Sequence, residues 1–334
     1  MFLIFVGWFN VNPSVLGLAL TMLLQLATTF QWGVRQSAEV VNQMISVERV
    51  SAFGHLPSEA PLSMDRDNMA EQWPQNGSMN IENLQVRYRS NLPPSLQGIS
   101  FDIKSGHKVG VVGRTGSGKS TLVQALFRVL EAEEGRISVG GVDISKLGLY
   151  KLRTKMSVIP QTPVLFSGCT IRENMDPFGK FGDIEIQNAL LDVQMMDAVN
   201  NLPDGLNALV SEGGSNFSVG QRQLLCLARA ILCKNKILVL DEPTANVDSR
   251  TDELLQLAVS KTFNGATIIA VAHRLDTVID YDKILVLGKG KVLEYGSPKD
   301  LLAKGGGHFT AMVEDTGEGM AKTLRLRANA GKLS

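Results

Sequence analysis

Eight residues constrain this chain more than any others: Gly113, Arg114, Thr115, Gly116, Ser117, Gly118, Lys119 and Ser120. They follow an apolar, strand-like run at 108–112 and precede a helical pattern at 120–128, beginning Ser120, Thr121, Leu122. A G-x-x-x-x-G-K-[ST] sequence between a strand and a helix is a P-loop. Its glycines let backbone N–H groups converge on a phosphate, and the N-terminus of the helix adds partial positive charge. Lys119 is placed to reach the β- and γ-phosphates of a nucleotide, and the Ser120 hydroxyl to ligate Mg²⁺. An accidental glycine-rich turn is rare at ordinary composition, and rarer still with both flanking elements correct. The stretch therefore points to nucleotide binding.

At 334 residues the chain has room for two domains. Lys plus Arg and Asp plus Glu balance at 33 each, so global charge gives no support for a nucleic-acid partner. Cys169, Cys226 and Cys233 have no metal-ligand spacing and fit a reducing compartment better than a disulfide framework. Charge is unevenly distributed along the chain. Residues 1–34 contain no Asp, Glu, Lys, Arg or His, and Pro13 divides them into two apolar segments. The first, 1–11, is too short to cross a bilayer and reads as part of a preceding span, as if the chain were cut from something longer. The second, 14–35, has Ser14 as a helix cap and an apolar stretch of 20 residues from Val15 to Val34. At about 1.5 Å per residue such a stretch matches one hydrocarbon core, with Trp32 and Arg35 at its end. A signal peptide would need a basic leader, and none precedes it. The helical pattern continues to about residue 53 as an amphipathic extension, giving a first region of 1–55. Residues 56–78 carry Pro57, Pro61 and Pro74 without an apolar period and read as a linker.

Strand-like runs follow at 81–88, 99–103, 108–112, 136–139, 156–159, 237–240, 267–271, 283–286 and 291–294, interleaved with helical patterns at 120–128, 184–191, 221–232, 252–261 and 299–303. The alternation predicts an α/β P-loop fold, and the early cluster of strands an added antiparallel sheet. Residues 314–334 read as a flexible basic tail. A second chemical element is the run Ile237, Leu238, Val239, Leu240 ending in Asp241 and Glu242. A buried strand of this kind delivers a carboxylate to the end of the sheet where ligands bind. Asp241 is placed to hold Mg²⁺ through water, and Glu242 to polarise a water attacking the γ-phosphate. Ser218, Gly220 and Gln221 open a helical pattern between these elements. They either cap that helix and nothing more, or aim its N-terminus at an anion; the residues alone do not decide.

Taken in order, these stretches resemble the ATPase domain of ABC transporters, with Walker A at 113–120, Walker B at 237–242 and a signature-like 217–221 between them. The resemblance covers 79–313, and more weakly the N-terminal span. It implies a parallel core sheet, an antiparallel β-subdomain and a helical subdomain. Tyr88 resembles the aromatic that stacks on adenine. Residues 113–121, including Thr121, resemble the phosphate-binding loop. Gln161 resembles the Q-loop glutamine that senses Mg²⁺ and contacts the membrane domain. Asp248 closes a D-loop-like 245–248, and His273 resembles the switch histidine at the γ-phosphate. Ser218, Gly220 and Gln221 would contact ATP on a partner domain.

In detail the chain resembles the C-terminal half of a C-subfamily, multidrug-resistance-associated transporter, on the strength of 113–120, 165–177, 218–223 and 43–49. That implies ATP-driven export of organic anions, conjugates or xenobiotics by an integral membrane protein of the plasma membrane or an endomembrane, with a cytosolic ATPase domain. The implied partners are a first nucleotide-binding domain, further membrane helices and a transported small molecule. An ATP-gated channel or regulatory subunit on the same scaffold is the alternative, and a soluble ABC ATPase a more distant one. A single span plus part of another cannot enclose a pathway, so the chain alone should not transport. Only Gln25, Thr28, Thr29, Gln31 and Trp32 offer a polar face for a substrate. Two departures stand out: Phe217 replaces the signature's leucine and Val219 its first glycine, where a branched side chain should crowd a phosphate.

Overall fold

The computed structural model describes residues 12–65, 67, 72–243, 248–272 and 274–330. The expected partial span 1–11, residues 245–247 of the D-loop and His273 lie outside the described residues. The chain divides into two compact units, one ending at Glu59 and the other beginning at Ala60.

The first unit is built on one helix, α1 (Pro13–Gly54), of 42 residues. Asn12 caps it by accepting a bond from the Ser14 amide, and Pro13 occupies the first helical position, where a missing N–H costs nothing. The cap is thus Asn12 and not Ser14. The expected span and its extension form one continuous helix, long and apolar enough to cross a membrane by length and composition. None of its residues is buried, and Leu23, Leu24, Leu26, Phe30 and Trp32 all face outward. Its threonine hydroxyls are satisfied internally: Thr28 and Thr29 each donate to the Gln25 carbonyl at 2.8 Å, and Thr21 to Leu18 at the same distance. A helix whose hydroxyls bond back to its own carbonyls presents little unmet polarity to an apolar surrounding.

In the second unit the strands are β1 (Met79–Val86), β2 (Leu96–Ile103), β3 (Lys108–Val112), β4 (Glu134–Val139), β5 (Val142–Asp143), β6 (Ser157–Ile159), β7 (Ile237–Asp241), β8 (Thr267–Val271), β9 (Lys283–Gly288) and β10 (Lys291–Gly296). They form an antiparallel four-stranded sheet, β2-β1-β4-β5, and a six-stranded sheet, β10-β9-β3-β8-β7-β6, parallel except at the β9–β10 hairpin. The helices are α2 (Lys119–Leu126), α3 (Leu149–Lys155), α4 (Ile171–Met175), α5 (Asp183–Asp192), α6 (Met196–Asn200), α7 (Val219–Cys233), α8 (Ser249–Thr262), α9 (Pro298–Ala303), α10 (His308–Glu314) and α11 (Glu318–Ala330).

The inner strands β3, β7, β8 and β9 are buried on both faces, which is why they read as unbroken apolar runs rather than alternating ones, whereas the edge strand β6 leaves Val158 exposed. Ile237 and Val239 of β7 join the core beneath the antiparallel sheet, with Val109, Val111, Phe101 and Trp73. Leu238 and Leu240 point the other way, into the core shared with α7, α8, Phe309 and Leu324. Residues 183–200 and 219–233 add a helical layer, with Ile186, Leu190 and Val199 packed against the buried face of α7.

Two expected boundaries shift. The linker expected over 56–78 is not free throughout, because from Ala60 onward it belongs to the second unit. The Pro61 and Leu62 carbonyls accept the Leu149 and Tyr150 amides at 3.1 and 3.0 Å, and Asp67 accepts the Gly148 amide at 3.0 Å. The strap thus satisfies the otherwise orphaned N–H groups that open α3. Trp73 is buried and donates to the Val139 carbonyl at 2.8 Å. The flexible tail expected over 314–334 is corrected as well, since 318–330 are helical. Ala321, Leu324 and Ala328 recur at helical spacing and are buried, while Arg325 pairs with Glu314 at 2.8 Å and Arg327 with Asp280. The short helices α3, α4, α6 and α10 carry too few turns to show a period in sequence.

Leu324 is fully buried, so Leu324→Ala should lower stability by about 2–5 kcal/mol. Urea unfolding followed by circular dichroism checks this, and an unchanged midpoint would mean that α11 does not dock.

Candidate nucleotide site

The site lies where the parallel strands end. β3 leads into Gly113, β6 into Pro160 and Gln161, β7 into Asp241 and Glu242, and β8 into Ala272. Their register aligns these ends: Asp241 pairs opposite Val271, and Val271 opposite Val111. Loops at the carboxyl ends of parallel strands are where α/β proteins bind ligands.

The phosphate loop folds as its glycines require. A Cβ on Gly113 would stand 2.3 Å from the Leu287 carbonyl and 2.7 Å from Ser117 Oγ. Gly118 caps α2 at φ +105, and a Cβ there would meet Leu96 Cδ2 at 2.7 Å. No side chain caps α2, so the N–H groups of its first turn are left for an anion. The Lys119 side chain is buried and curls back to donate to the Gly113 carbonyl at 2.9 Å, bringing Nζ to 3.9 Å from Glu242 Oε1. Gln161 Nε2 donates to the other Glu242 oxygen at 2.9 Å. Glu242 is held at φ +48, a left-handed conformation that side chains with a Cβ rarely adopt, and its amide is tied to the Val271 carbonyl at 3.1 Å. Such an outlier persists only where the surroundings over-determine it. Burial, with the adjacent Glu242 carboxylate adding to it, pushes the Asp241 carboxyl above its ordinary range, and Lys119 offsets part of this.

The phosphate loop, Gln161 and Glu242 open onto one cleft of about 950 Å³, lined by Tyr88, residues 115–121, Gln161 and Glu242, whereas Asp241 does not line it. Tyr88 is half-exposed with its hydroxyl 3.2 Å from Thr121 Oγ1, an aromatic wall beside the loop. Ser120, Asp241 and Gln161 supply oxygen donors of the kind Mg²⁺ prefers. Among the described residues no three His, Cys, Asp or Glu side chains converge as a metal site of their own, so such an ion would lean on nucleotide oxygens and water.

Other expected residues lie elsewhere. Ser218, Gly220 and Gln221 do not line the cleft. Ser218 Oγ accepts the Gln221 amide at 3.1 Å and Gln221 Oε1 accepts the Ser218 amide at 2.9 Å, a reciprocal cap on α7. A Cβ on Gly220 would stand 3.0 Å from Thr251 Cγ2, so α7 and the start of α8 pack closely there. Asp248 caps α8 through Thr251, whose hydroxyl and amide bonds hold its exposed carboxyl below the usual range. Phe217 is buried in the core, whereas Val219 is partly exposed at the opening of α7. The phenylalanine is therefore a packing substitution, and only the valine reaches the surface.

The cleft also holds residues that sequence reasoning missed. Lys289 and Gly290 form the β9–β10 turn at φ +48 and +76. The Gly290 amide donates to the Ser117 carbonyl at 3.1 Å, and its carbonyl accepts the Gln97 amide at 2.8 Å, so the turn buttresses the phosphate loop. The signal was the pair Lys289-Gly290 between two apolar runs, a hairpin turn that needs positive φ. Arg274 borders the cleft as well, bonded to Asp276 at 2.7 Å and to Asp252 at 3.5 Å.

Comparison with known proteins fits this geometry. The family model described as ABC transporter matches residues 96–245. ABC transporter C family member 12 of Dictyostelium discoideum is 47% identical over 323 residues, 97% of this chain and 24% of that protein. ATP-binding cassette sub-family C member 2 of Rattus norvegicus is 48% identical over 308 residues, 92% of this chain and 20% of that protein. The chain thus spans about a quarter or less of the curated relatives it matches. A bacterial Atm1-family ABC exporter solved with ATP bound superposes with a TM-score of 0.68 at 32% identity, over 73% of this chain and 43% of that one. The domain is an ABC ATPase with a parallel core sheet, an antiparallel β-subdomain and a helical subdomain, and the chain belongs to the C subfamily of ABC transporters.

Proposed function

We propose that the chain is the ATP-hydrolysing half of an exporter, coupling ATP turnover to movement of organic anions, conjugates or xenobiotics across a membrane. The observation that carries this reading is the convergence of the phosphate loop, Gln161 and Glu242 on one cleft beside Tyr88. Tyr88 stacks on the adenine, and residues 113–121 hold the phosphates. Lys119 leaves the Gly113 carbonyl for the β- and γ-phosphates. Glu242, steered by Gln161, accepts the proton of the attacking water, and His273 is assigned to the γ-phosphate by the family resemblance alone. Mg²⁺ would be held by Ser120, Asp241 and Gln161, and would neutralise charge on the phosphates.

The site is shared. The second face of the nucleotide meets a signature from a first ATPase domain, and this chain's Ser218, Gly220 and Gln221 serve that domain's nucleotide in return. Val219, branched and partly exposed at the opening of α7, makes this chain's signature the poorer one. The competent cleft is then the one built on Glu242. The outward-facing apolar half of α1 is covered by lipid and by further membrane helices that complete the pathway, with the ATPase domain cytosolic. The structural neighbour's exporter character favours a pump over a gated channel.

In the assembled transporter, Glu242→Gln should lower turnover by about 100-fold or more while ATP binding persists. Val219→Gly should raise turnover little. Loss of only a minor fraction of turnover in Glu242→Gln would contradict the assignment. The expressed chain should stay with membranes through an alkaline carbonate wash, and release into the soluble fraction would remove α1 from the bilayer.

A further inference from the structure

The loop carrying Gln161 rests on the same helix whose first turn forms the signature. Gln223 on α7 is fully buried, and its Nε2 donates to the Pro160 carbonyl at 3.0 Å, one residue before Gln161. Two turns further along α7, Arg229 Nη1 donates to the Val164 carbonyl at 2.6 Å, and its Nε to the Asn174 carbonyl at 2.7 Å. Helix α7 therefore holds the Q-loop at both ends, leaving residues 161–163 as a short arch between the two grips. Gln161 at the head of that arch is bonded to Glu242.

The amide of Gln223 is not explained by stability alone. Its Oε1 is buried and has no hydrogen-bond partner among the described residues. An unsatisfied buried acceptor is destabilising, and a methionine of similar length would fill the space without one. What glutamine adds is the directed bond to the Pro160 carbonyl. On the other side of Gln223, toward the start of α7, Ser218 and Gln221 cap the helix.

We propose that Gln223 is a positioning residue linking the two nucleotide sites of the proposed dimer. It couples the Gln161 arch in this chain's cleft to the signature turn that serves the partner's nucleotide. This rests on the shared-site reading above. A change in the Gln161–Glu242 contact on nucleotide binding shifts the Pro160 carbonyl, and the buried amide passes that shift to a rigid helix only one turn from Ser218. Contiguous packed elements of this kind transmit coupling between sites.

Amide hydrogen exchange on the whole chain in detergent, at a concentration where light scattering shows monomers, tests the link. The probe is Mg²⁺ with a non-hydrolysable ATP analogue. In the wild type, exchange should slow at 113–121, at the arch and at 217–222, the last by about fivefold, a size typical of coupling through packed networks. Gln223→Met should keep the slowing at 113–121 and lose it at 217–222. Gln223→Asn, too short to reach Pro160, should do the same and serves if the methionine variant misfolds. Persistent slowing at 217–222 in these variants, or none there in the wild type, overturns the link. Absence of slowing at 113–121 in the wild type would instead overturn the ATP-site reading itself.

Discussion

The parallel register of β3, β6, β7 and β8 is the constraint on which the rest of this structure depends. It brings four carboxyl-terminal strand ends to one edge, and with them the phosphate loop, Gln161 and the Asp241–Glu242 pair. β3, β7 and β8 are buried on both faces, so each is fixed by two cores at once, while the edge strand β6 meets one core and leaves Val158 exposed. A slip of one strand would displace a side chain from both cores and also move a functional group out of the cleft. The left-handed backbone at Glu242 is sustainable only within such a frame, tied to the Val271 carbonyl of the neighbouring strand.

The parts of the fold that were legible in sequence are those with strong local signals. The apolar run 237–240 reads as a doubly buried strand, and the glycines at 113, 116 and 118 ahead of Lys119 as a phosphate loop. The uncharged N-terminal stretch gave a long helix for the same reason. What escaped was contact made at long range. Trp73 and the carbonyls of Pro61 and Leu62 fasten an apparently loose, proline-rich segment through partners more than sixty residues away, on β4 and α3. The basic C-terminal stretch looked like a tail because only Ala321, Leu324 and Ala328 carry its buried face, a narrow stripe among lysines and arginines. Its composition of Ala, Leu, Lys and Arg nonetheless favours a helix.

The candidate site divides along the same line. Tyr88, residues 115–121, Gln161 and Glu242 were each placed by sequence and meet in one cleft. The Lys289-Gly290 turn was not, because its role depends on a hairpin folding back over Ser117. Ser218, Gly220 and Gln221 do not line the cleft, and in the proposed assembly they would serve a second domain's nucleotide instead. Helix α7 then has two tasks, capping a signature at one end and carrying the Q-loop along its buried face. The unburied apolar surface of α1 is the other surface that the proposed assembly would cover.

The central claim is that the 113–120 loop binds a nucleotide's phosphates through Lys119. Equilibrium titration of the chain with MgATP, comparing wild type with Lys119→Ala, addresses it most directly. The account predicts saturable binding to the wild type and a loss of about tenfold or more in the variant, since charge-assisted bonds to phosphate are among the strong ones. Equal affinity in the two proteins, or no binding to either, would contradict it.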